Sequence, residues 1–304
     1  MTDPIEQRVA VVTGAGGGIG KAIALEMAAD GAAVVVNDLG TSVSGGGTDQ
    51  SAAQAVVDEI EAAGGRAVAN TDNVADYASA SNIIATAMDT FGRLDAVINN
   101  AGILRDRMFH KMDPDEWKAV IDVHLHGTFN VSRAAAPIFR QQEAGAYVHM
   151  TSTSGLIGNR GQANYSAAKA GIASLSKSIA LDMAAFNVRS NCISPFAWSR
   201  MIGSIPTDTP EQQARVDKLK SMTPDKVAVL ATYLASDRAA DVSGQIFAAR
   251  GNEIFLMGQS RPLRGIHRSE GWDPETIASE AVPALKGQFY PLEVSGEVFS
   301  WDPV

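Results

Sequence analysis

Short apolar runs alternate along most of the chain with longer segments in which apolar residues recur every three or four positions. The short runs are rich in Val, Ile and Ala, which is typical of buried strands, whereas the longer segments have the period of a helix. Strands are predicted at residues 8–12, 33–37, 67–69, 94–98, 147–150, 188–193 and 245–249. Helices are predicted at residues 18–30, 52–63, 77–91, 114–140, 162–186 and 223–235.

This alternation is typical of βαβ units, in which consecutive strands run parallel. The strands are apolar throughout, so both faces of the sheet must be covered by helices. Right-handed crossovers then give an α/β fold with a doubly wound parallel sheet of seven strands. Ligands in such sheets bind beyond the carboxyl ends of the strands, and the motifs described below all lie there.

Composition narrows the class of protein. The chain has 304 residues, of which 45% are hydrophobic, so it can form a large core and is not intrinsically disordered. A single Cys excludes an internal disulfide, and no apolar stretch is long enough to span a membrane. A net charge of -9 argues against nucleic acid or an anionic membrane as a partner. No targeting signal is recognisable, so a cytoplasmic location is predicted.

The predicted sheet accounts for residues 1–250, which we interpret as one domain, and leaves an extension of residues 251–304. A strand at 253–257 and a helix at 274–285 are predicted in the extension. It also contains a basic cluster of Arg261, Arg264, His267 and Arg268, which suggests either binding of coenzyme A phosphates or a solvated or subunit-contact surface. We expect the extension to pack on the substrate pocket or on a subunit interface.

A glycine-rich turn, Thr13 to Gly20, lies between the first strand and the first helix. Gly14, Gly18 and Gly20 permit a tight turn whose backbone can approach a pyrophosphate, and the helix that starts near Ile19 offers free N–H groups to that anion. This strand–turn–helix context predicts a Rossmann-type dinucleotide site.

Asp38 ends the second strand, 18 residues beyond Gly20, where a carboxylate would bind the adenosine ribose. No Arg or Lys occurs between Asp38 and Arg66 to receive a 2′-phosphate, so the predicted cofactor is NAD and not NADP. Lys21 is the one basic residue near the expected phosphates, and it is the feature that weighs against this preference.

Tyr165 and Lys169 are four residues apart on a predicted helix and therefore share a face. Ser152 directly follows the fifth strand, at the same edge of the sheet. A phenol with an ordinary pKa near 10 is a poor base at neutral pH, but a nearby ammonium group lowers the pKa. These three residues therefore predict a site for alcohol oxidation, in which Ser152 orients the substrate oxygen.

Thr13 to Gly20, Asn99 to Gly102, Ser152 and Tyr165 to Lys169 together resemble the short-chain dehydrogenase/reductase family, over about residues 5–250. The resemblance implies that Tyr165 is the catalytic base, that Lys169 binds the nicotinamide ribose and tunes Tyr165, and that Ser152 orients the substrate. It further implies cofactor contacts from the glycine-rich turn, from Asp38, and from Asp72, Asn73, Val74, Asn100, Ala101, Gly102, Tyr165, Lys169 and Pro195.

His124 departs from the family pattern, which usually has an Asn at this place to support a water relay to the Lys. A His can hold a water through one ring nitrogen, so His124 is a candidate member of the relay, and an ordinary interior His is the alternative. The remaining histidines lack metal-ligand spacing, and no metal site is predicted.

Further motifs, including Asn37 to Gly40, Ala101 to Arg107, Gly161 to Tyr165 and Ser199 to Met201, resemble one branch of the family. That branch contains the (3R)-hydroxyacyl-CoA dehydrogenase unit of peroxisomal multifunctional enzyme type 2, and it also has His at the place of His124. The resemblance implies NAD-dependent oxidation of a 3-hydroxyacyl-CoA in fatty-acid or steroid side-chain breakdown, by a homodimer or homotetramer.

Substrate identity is the least determined property. Residues 196–223 are interpreted as a mobile lid, with Met201, Ile202, Ile205 and Met222 as candidate contacts of an acyl chain. Two alternatives stay open: a dehydrogenase for a hydroxysteroid or another secondary alcohol, and a dinucleotide-binding regulatory protein without turnover. The catalytic motifs specify the chemistry rather than the substrate.

Overall fold

A computed structural model of the chain describes residues 8–40, 42, 44–47, 51–197 and 209–304. Its centre is one sheet of eight strands in the order β3-β2-β1-β4-β5-β6-β7-β8. The strands are β1 (Val9–Thr13), β2 (Ala33–Asn37), β3 (Arg66–Asn70), β4 (Ala96–Asn99), β5 (Gly145–Met150), β6 (Val188–Phe196), β7 (Ile246–Arg250) and β8 (Glu253–Leu256).

The first seven strands are parallel, as predicted, and the predicted strand of the extension joins the sheet as an antiparallel edge. The order reverses between β1 and β4, so the loops that follow these two neighbours diverge and leave a crevice at the carboxyl edge. Such a topological switch point is where doubly wound sheets bind ligands.

Helices cover both faces of the sheet. The longer ones are α1 (Gly18–Ala29), α2 (Ser51–Ala62), α3 (Tyr77–Phe91), α4 (Pro114–Ile121), α5 (Gly127–Gln142), α7 (Ala163–Met183), α8 (Pro210–Lys220) and α9 (Pro224–Ala235). The short ones are α6 (Thr153–Leu156), α10 (Pro274–Thr276), α11 (Val282–Leu285) and α12 (Ser295–Val298).

Strand periodicity divides the core into two layers. Alternate residues of β1, such as Val12, pack with α1, α2 and α9, and the residues between them, such as Val11, pack with α3 and α5. Local signals fix the helix ends: Asp76 caps α3 through Ser79 N, and Gly92 ends α3 in the left-handed conformation. The fold thus follows from the hydrophobic pattern and its caps.

Two helical predictions need correction. The predicted helix at 114–140 is interrupted by a π-helical turn, Asp122–His126, because one extra residue is accommodated between α4 and α5. The predicted lid of residues 196–223 contains α8, which its weak apolar period did not reveal. Its candidate contacts Met201, Ile202 and Ile205 lie outside the described residues.

The extension begins with a tight hairpin, since Arg250 of β7 pairs with Glu253 of β8 around Gly251. The chain then returns to the sheet at its end, where Asn252 N donates to Val304 O at 2.9 Å. A cluster of aromatic rings holds this end in place: Phe196, Phe255, Phe299 and Trp301.

Within the described part of the chain, no helix is both long enough and apolar enough to cross a membrane. The predicted cytoplasmic location stays a prediction.

The core layer under α5 gives a stability test. Phe139 is fully buried and packs edge-on against Tyr147, with ring centroids 4.9 Å apart. We expect Phe139→Ala to lower the free energy of unfolding by about 3–5 kcal/mol, because it removes a buried ring and leaves a cavity. Urea denaturation measures this. The matched control is Phe109→Ala, at a ring that is 77% exposed, which should change stability by about 0.5 kcal/mol or less. Equal losses would contradict the assignment of Phe139 to the core.

Candidate active site

The glycine-rich turn is shaped by close backbone approach. Gly14 and Gly18 adopt φ values of 63° and 53°, which favour glycine. A Cβ at Gly20 would lie 2.1 Å from Gly14 O and 2.5 Å from Asn100 Nδ2, so only glycine fits there. The N-cap is Gly17, which has no side chain to bind the first-turn N–H groups of α1. These groups, including that of half-buried Ile19, are therefore available to an anion.

Asp38 lies beside this turn at the end of β2. Its Oδ2 accepts a hydrogen bond from Gly16 N at 2.8 Å, and its Oδ1 accepts one from Gly40 N at 2.7 Å. The two bonds fix the carboxylate at the crevice, as the sequence predicts. Lys21 forms an ion pair with Glu59 of α2 at 2.6 Å, so its charge is already matched within the protein.

The loop after β4 is fastened to the loop after β1. Asn100 Nδ2 donates to Thr13 O and Gly14 O, both at 3.0 Å, and Thr13 Oγ1 accepts from the backbone N–H groups of Asn100 and Ala101. Gly102 faces His124, whose Cε1 would be 2.2 Å from a Cβ at that position. Asn100, Ala101 and Gly102 therefore form one wall of the predicted cofactor crevice.

The loop after β3 is held rigidly at the same edge. Asp72 accepts from Asn70 Nδ2 at 2.8 Å, and Asn73 N donates to Ser79 Oγ at 2.7 Å. Val74 is buried, and its carbonyl oxygen accepts from Asn130 Nδ2 at 3.0 Å. The structure thus places the three predicted adenine contacts together in one ordered loop.

Pro195 lies at the carboxyl end of β6, paired in register with Ala249 of β7. Ser152 lies at the end of β5, on the same edge of the sheet, and it caps α6 by accepting a hydrogen bond from Ser154 N at 3.1 Å. Ser199 to Met201, predicted to follow β6, lie outside the described residues.

Tyr165 and Lys169 extend from one face of α7 toward Ser152. The Ser152 hydroxyl is close enough to the Tyr165 phenol to lower the pKa of the phenol, and Lys169 Nζ lies 5.5 Å from the centroid of the phenol ring. Lys169 is buried, and its ammonium donates to Met150 O at 2.5 Å. The structure thus brings the three predicted catalytic side chains together at the carboxyl edge.

Burial has the largest effect on the pKa values of Tyr165 and Lys169. It raises the pKa of the Tyr165 phenol, the hydrogen bond to Ser152 lowers that pKa, and the charge of Asp106 raises it further. Burial also lowers the pKa of the Lys169 ammonium to about 7. A desolvated site of this kind strengthens every charge interaction within it.

His124 projects from the π-helical turn into this site. Its ring packs edge-on against Tyr165 at 5.2 Å, and its Nε2 lies 2.8 Å from Ile103 O and 3.1 Å from Ile103 N. Burial, aided by the charge of Lys169, lowers the pKa of His124 to about 3, so the ring is neutral. In the described part of the chain its buried Nδ1 has no hydrogen-bond partner. A neutral ring nitrogen in this position suits a bound water.

Some functional geometry was not foreseen from the sequence. Arg105, brought over from the loop after β4, donates from Nε to Ser44 O at 3.2 Å and so contacts the loop that follows Asp38. In the extension, Arg264 donates to Ala284 O at 2.7 Å, and Arg268 donates to Gly271 O at 2.8 Å. These two guanidinium groups therefore bind the extension's own backbone.

Met222 is buried, so it packs within the protein instead of lining an open surface. Among residues 8–40, 42, 44–47, 51–197 and 209–304, no group of three or more His, Cys, Asp or Glu side chains is arranged to hold a metal ion.

Comparison with known proteins identifies the family. The family model described as short chain dehydrogenase matches residues 8–202. The chain is 47% identical over 251 residues to a short-chain type dehydrogenase/reductase of Mycobacterium tuberculosis, covering 82% of this chain and 84% of that protein. It is 38% identical to the hydroxyacyl-CoA dehydrogenase ChsB1 of the same organism, covering 91% of this chain and 88% of that protein.

The chain is also 41% identical to the peroxisomal multifunctional enzyme type 2 of Mus musculus over 91% of its own length, but it spans only 37% of the mouse protein. A crystal structure of a short chain dehydrogenase from Mycobacterium avium superposes with a TM-score of 0.81 at 41% identity, covering 95% of this chain and 98% of that one. The chain therefore belongs to the short-chain dehydrogenase family. It is an oxidoreductase with a Rossmann-type fold that uses a nicotinamide dinucleotide, and the resemblance to the hydroxyacyl-CoA dehydrogenase branch is confirmed.

The close approach at Gly20 gives a test of the crevice. We expect Gly20→Ala to lower the free energy of unfolding by about 1–3 kcal/mol, because the new methyl group must displace Gly14 or Asn100, and to weaken dinucleotide binding. Chemical denaturation and calorimetric titration measure the two effects. Gly17→Ala is the matched control for unfolding, since Gly17 has an extended backbone with no atom within 4 Å, and it should stay within about 1 kcal/mol of wild type. Two variants of equal stability would contradict the steric constraint.

Proposed function

We propose that this short-chain dehydrogenase catalyses the NAD-dependent oxidation of a (3R)-hydroxyacyl-CoA to the 3-oxoacyl-CoA, in fatty-acid or steroid side-chain breakdown. The observation that carries the proposal is the convergence of Ser152, Tyr165 and Lys169 at the crevice edge of the sheet. The substrate class is supported by the named relatives that are hydroxyacyl-CoA dehydrogenases.

In the proposed mechanism Tyr165 accepts the proton of the substrate hydroxyl, and the substrate carbon loses a hydride. Ser152 holds the substrate oxygen at hydrogen-bonding distance from the phenol, which fixes the geometry for proton transfer. The buried ammonium of Lys169 stabilises the phenolate, since opposite charges attract strongly in a desolvated site. The oxidised nicotinamide, when bound, supplies the hydride acceptor and a positive charge beside the phenol.

NAD is preferred in this proposal because the residues at the ribose position carry a negative charge. Asp38 is fixed by two backbone N–H groups, so its carboxylate cannot turn away from a 2′-substituent. Lys21, the cation that weighed against NAD in the sequence, is neutralised by Glu59. A 2′-phosphate would therefore meet repulsion from Asp38.

His124 is proposed to complete the relay that returns the proton from Lys169 toward solvent. The supporting observation is its unpartnered Nδ1, which lies in the same buried site as Lys169 and on a neutral ring. Because Nε2 faces both the N–H and the C=O of Ile103, either tautomer of the ring is satisfied there. The ring can therefore present Nδ1 to a water as a donor or as an acceptor.

The extension is proposed to border the substrate pocket. Ser295 N donates to Gly158 O at 3.0 Å, in the loop that follows α6, and Phe299 packs on Phe196 at 4.9 Å, directly beyond Pro195. Lys218 of α8 forms an ion pair with Asp302 at 2.6 Å. The end of the chain thus contacts the segments next to Ser152 and Pro195.

A homodimer or homotetramer is proposed because the extension exposes apolar side chains that the described part of the chain does not cover, among them Leu263, Phe289, Tyr290 and Leu292. Such a surface is typical of a protein contact. Sedimentation equilibrium should give a mass of two or four chains, and a monomer at micromolar concentration would contradict the proposal.

The function itself is tested with a substrate panel. We expect NADH formation from (3R)-hydroxyacyl-CoAs, with little from the 3S forms or from free hydroxysteroids, and with NAD preferred to NADP. We expect Tyr165→Phe to lower kcat by about 10²–10⁴-fold, because the general base is lost. The absorbance of NADH measures both.

The control for the variant is its affinity for NAD, which should stay close to wild type because the phenol oxygen contributes little to cofactor binding. Undiminished turnover by Tyr165→Phe would contradict the mechanism. Faster oxidation of free hydroxysteroids than of acyl-CoAs would overturn the substrate class and leave the mechanism standing.

A further inference from the structure

A chain of hydrogen bonds leads from Ser152 to the protein surface on the side away from Lys169. Ser152 Oγ donates to Ser154 Oγ at 3.3 Å, and Ser154 Oγ donates to Gln162 Oε1 at 2.8 Å. Gln162 Nε2 then donates to Asp106 Oδ2 at 2.8 Å. Ser154 is buried and Asp106 is exposed, so the chain connects the centre of the site with its rim.

Two groups at the ends of these hydrogen bonds determine their directions, because one can only accept and the other can only donate. The Asp106 carboxylate can only accept, so the amide nitrogen of Gln162 faces it and the amide oxygen faces Ser154. The backbone N–H of Ser295 can only donate, and besides its shorter bond to Gly158 O it donates to Asn159 Oδ1 at 3.3 Å. The amide nitrogen of Asn159 therefore faces Ser154 Oγ, to which it donates at 2.8 Å.

These two orientations leave one arrangement for the Ser154 hydroxyl. Its proton goes to Gln162 Oε1, because Asn159 offers it only a donor. Ser154 therefore cannot donate its hydroxyl proton to Ser152. The Oγ of Ser152 accepts a bond from Ser154 N and donates its own proton to Ser154 Oγ, so only its second lone pair stays free for another donor.

This free lone pair is needed by the proposed reaction. A hydroxyl of the substrate or of neutral Tyr165 must be able to donate to Ser152, and it can do so only while Ser154 leaves that lone pair unoccupied. We infer that Ser154, Gln162 and Asp106 are positioning residues: they hold the Ser154 proton on Gln162 and so keep one lone pair of Ser152 open to the reacting hydroxyl groups. This inference rests on the proposed function of Ser152 and Tyr165.

The test uses two substitutions of Gln162 that separate hydrogen bonding from packing. Gln162→Met keeps the size of the side chain but removes the acceptor, so the Ser154 proton turns to Ser152. We expect kcat to fall by about tenfold, the cost of one misdirected hydrogen bond, while KM for NAD is unchanged. Gln162→Glu keeps the acceptor and should retain a higher kcat than Gln162→Met.

A packing role predicts the opposite order. Methionine is a neutral replacement of similar shape, whereas Gln162→Glu would place a second carboxylate against that of Asp106. A kcat for Gln162→Met that equals or exceeds that of Gln162→Glu therefore overturns the inference. Removal of the misdirected hydroxyl should also restore turnover, so we expect Ser154→Ala/Gln162→Met to exceed Gln162→Met in kcat. Absence of that recovery overturns the inference as well.

Gln54 and Asp58 of α2 provide a matched control, because Gln54 Nε2 donates to Asp58 Oδ1 at 2.7 Å on an exposed surface. Gln54→Met should leave kcat at the wild-type value. If Gln162→Met does not fold, as judged by its thermal transition, the exposed Asp106→Asn is compared with Asp58→Asn. We expect only Asp106→Asn to lower kcat, since an amide at 106 lets Gln162 turn round, and equal kcat values for these two variants overturn the inference.

All of these rates are expressed relative to wild type with the alcohol that the wild type oxidises best. Failure of wild type to oxidise any (3R)-hydroxyacyl-CoA would refute the proposed substrate, whereas failure of the inference shows only in the order of the variants. The two outcomes are therefore distinguishable.

Discussion

The hydrogen bonds that Thr13 and Asn100 form between the loops after β1 and β4 are the constraint on which the site depends. Asn100 binds two carbonyl oxygens of the glycine-rich turn, and Thr13 binds two N–H groups of the loop after β4. These bonds satisfy backbone groups that the diverging strands would otherwise leave unpaired. They also hold the turn so close to the loop after β4 that a Cβ at Gly20 cannot fit, so these two side chains and the backbone of the turn together shape the predicted cofactor crevice.

The proposed catalytic side chains depend on this frame because they are unfavourable to bury. Lys169 is buried beside Tyr165, and burial lowers the pKa of its ammonium to about 7. The cost of desolvation is partly offset by the hydrogen bond to Met150 O, which the parallel sheet places at the end of β5. A neutral His124 on one side and the Ser152 hydroxyl on the other complete a site with few charges of its own. Such a site responds strongly to any charge that enters it.

Much of the fold and of the candidate site could be predicted from the sequence, because it depends on residues that are close together along the chain. The seven parallel strands follow from apolar runs of consistent length, and the glycine turn, Asp38 and the Tyr165–Lys169 spacing follow from short motifs. The π-helical turn around His124 could not be predicted, because a single inserted residue leaves the helical period almost unchanged. The amphipathic signal of α8 is too weak to separate a helix from a loop.

Contacts between distant segments were likewise hidden from the sequence. Arg105 reaches Ser44 across 61 residues, and Gln162 reaches Asp106 across 56. Neither pair has a spacing that signals contact, because the topology of the sheet, not a local period, brings the segments together. Positions that tune a site are therefore harder to read than those that define its chemistry.

The extension, residues 251–304, contains both residues with reactive or charged side chains and backbone groups that influence the site from a distance. Arg264 and Arg268 bind the backbone of the extension itself, whereas the backbone N–H of Ser295, shared between Gly158 O and Asn159 Oδ1, is inferred to orient Asn159 and, through it, the hydroxyl of Ser154. A backbone N–H always donates and a backbone C=O always accepts, whatever the side chain. Such a group can therefore determine the direction of a chain of hydrogen bonds. In the proposed enzyme, residues that border the substrate thus also order the hydroxyl groups that hold it. A change in the packing of the extension would therefore alter turnover as well as substrate preference.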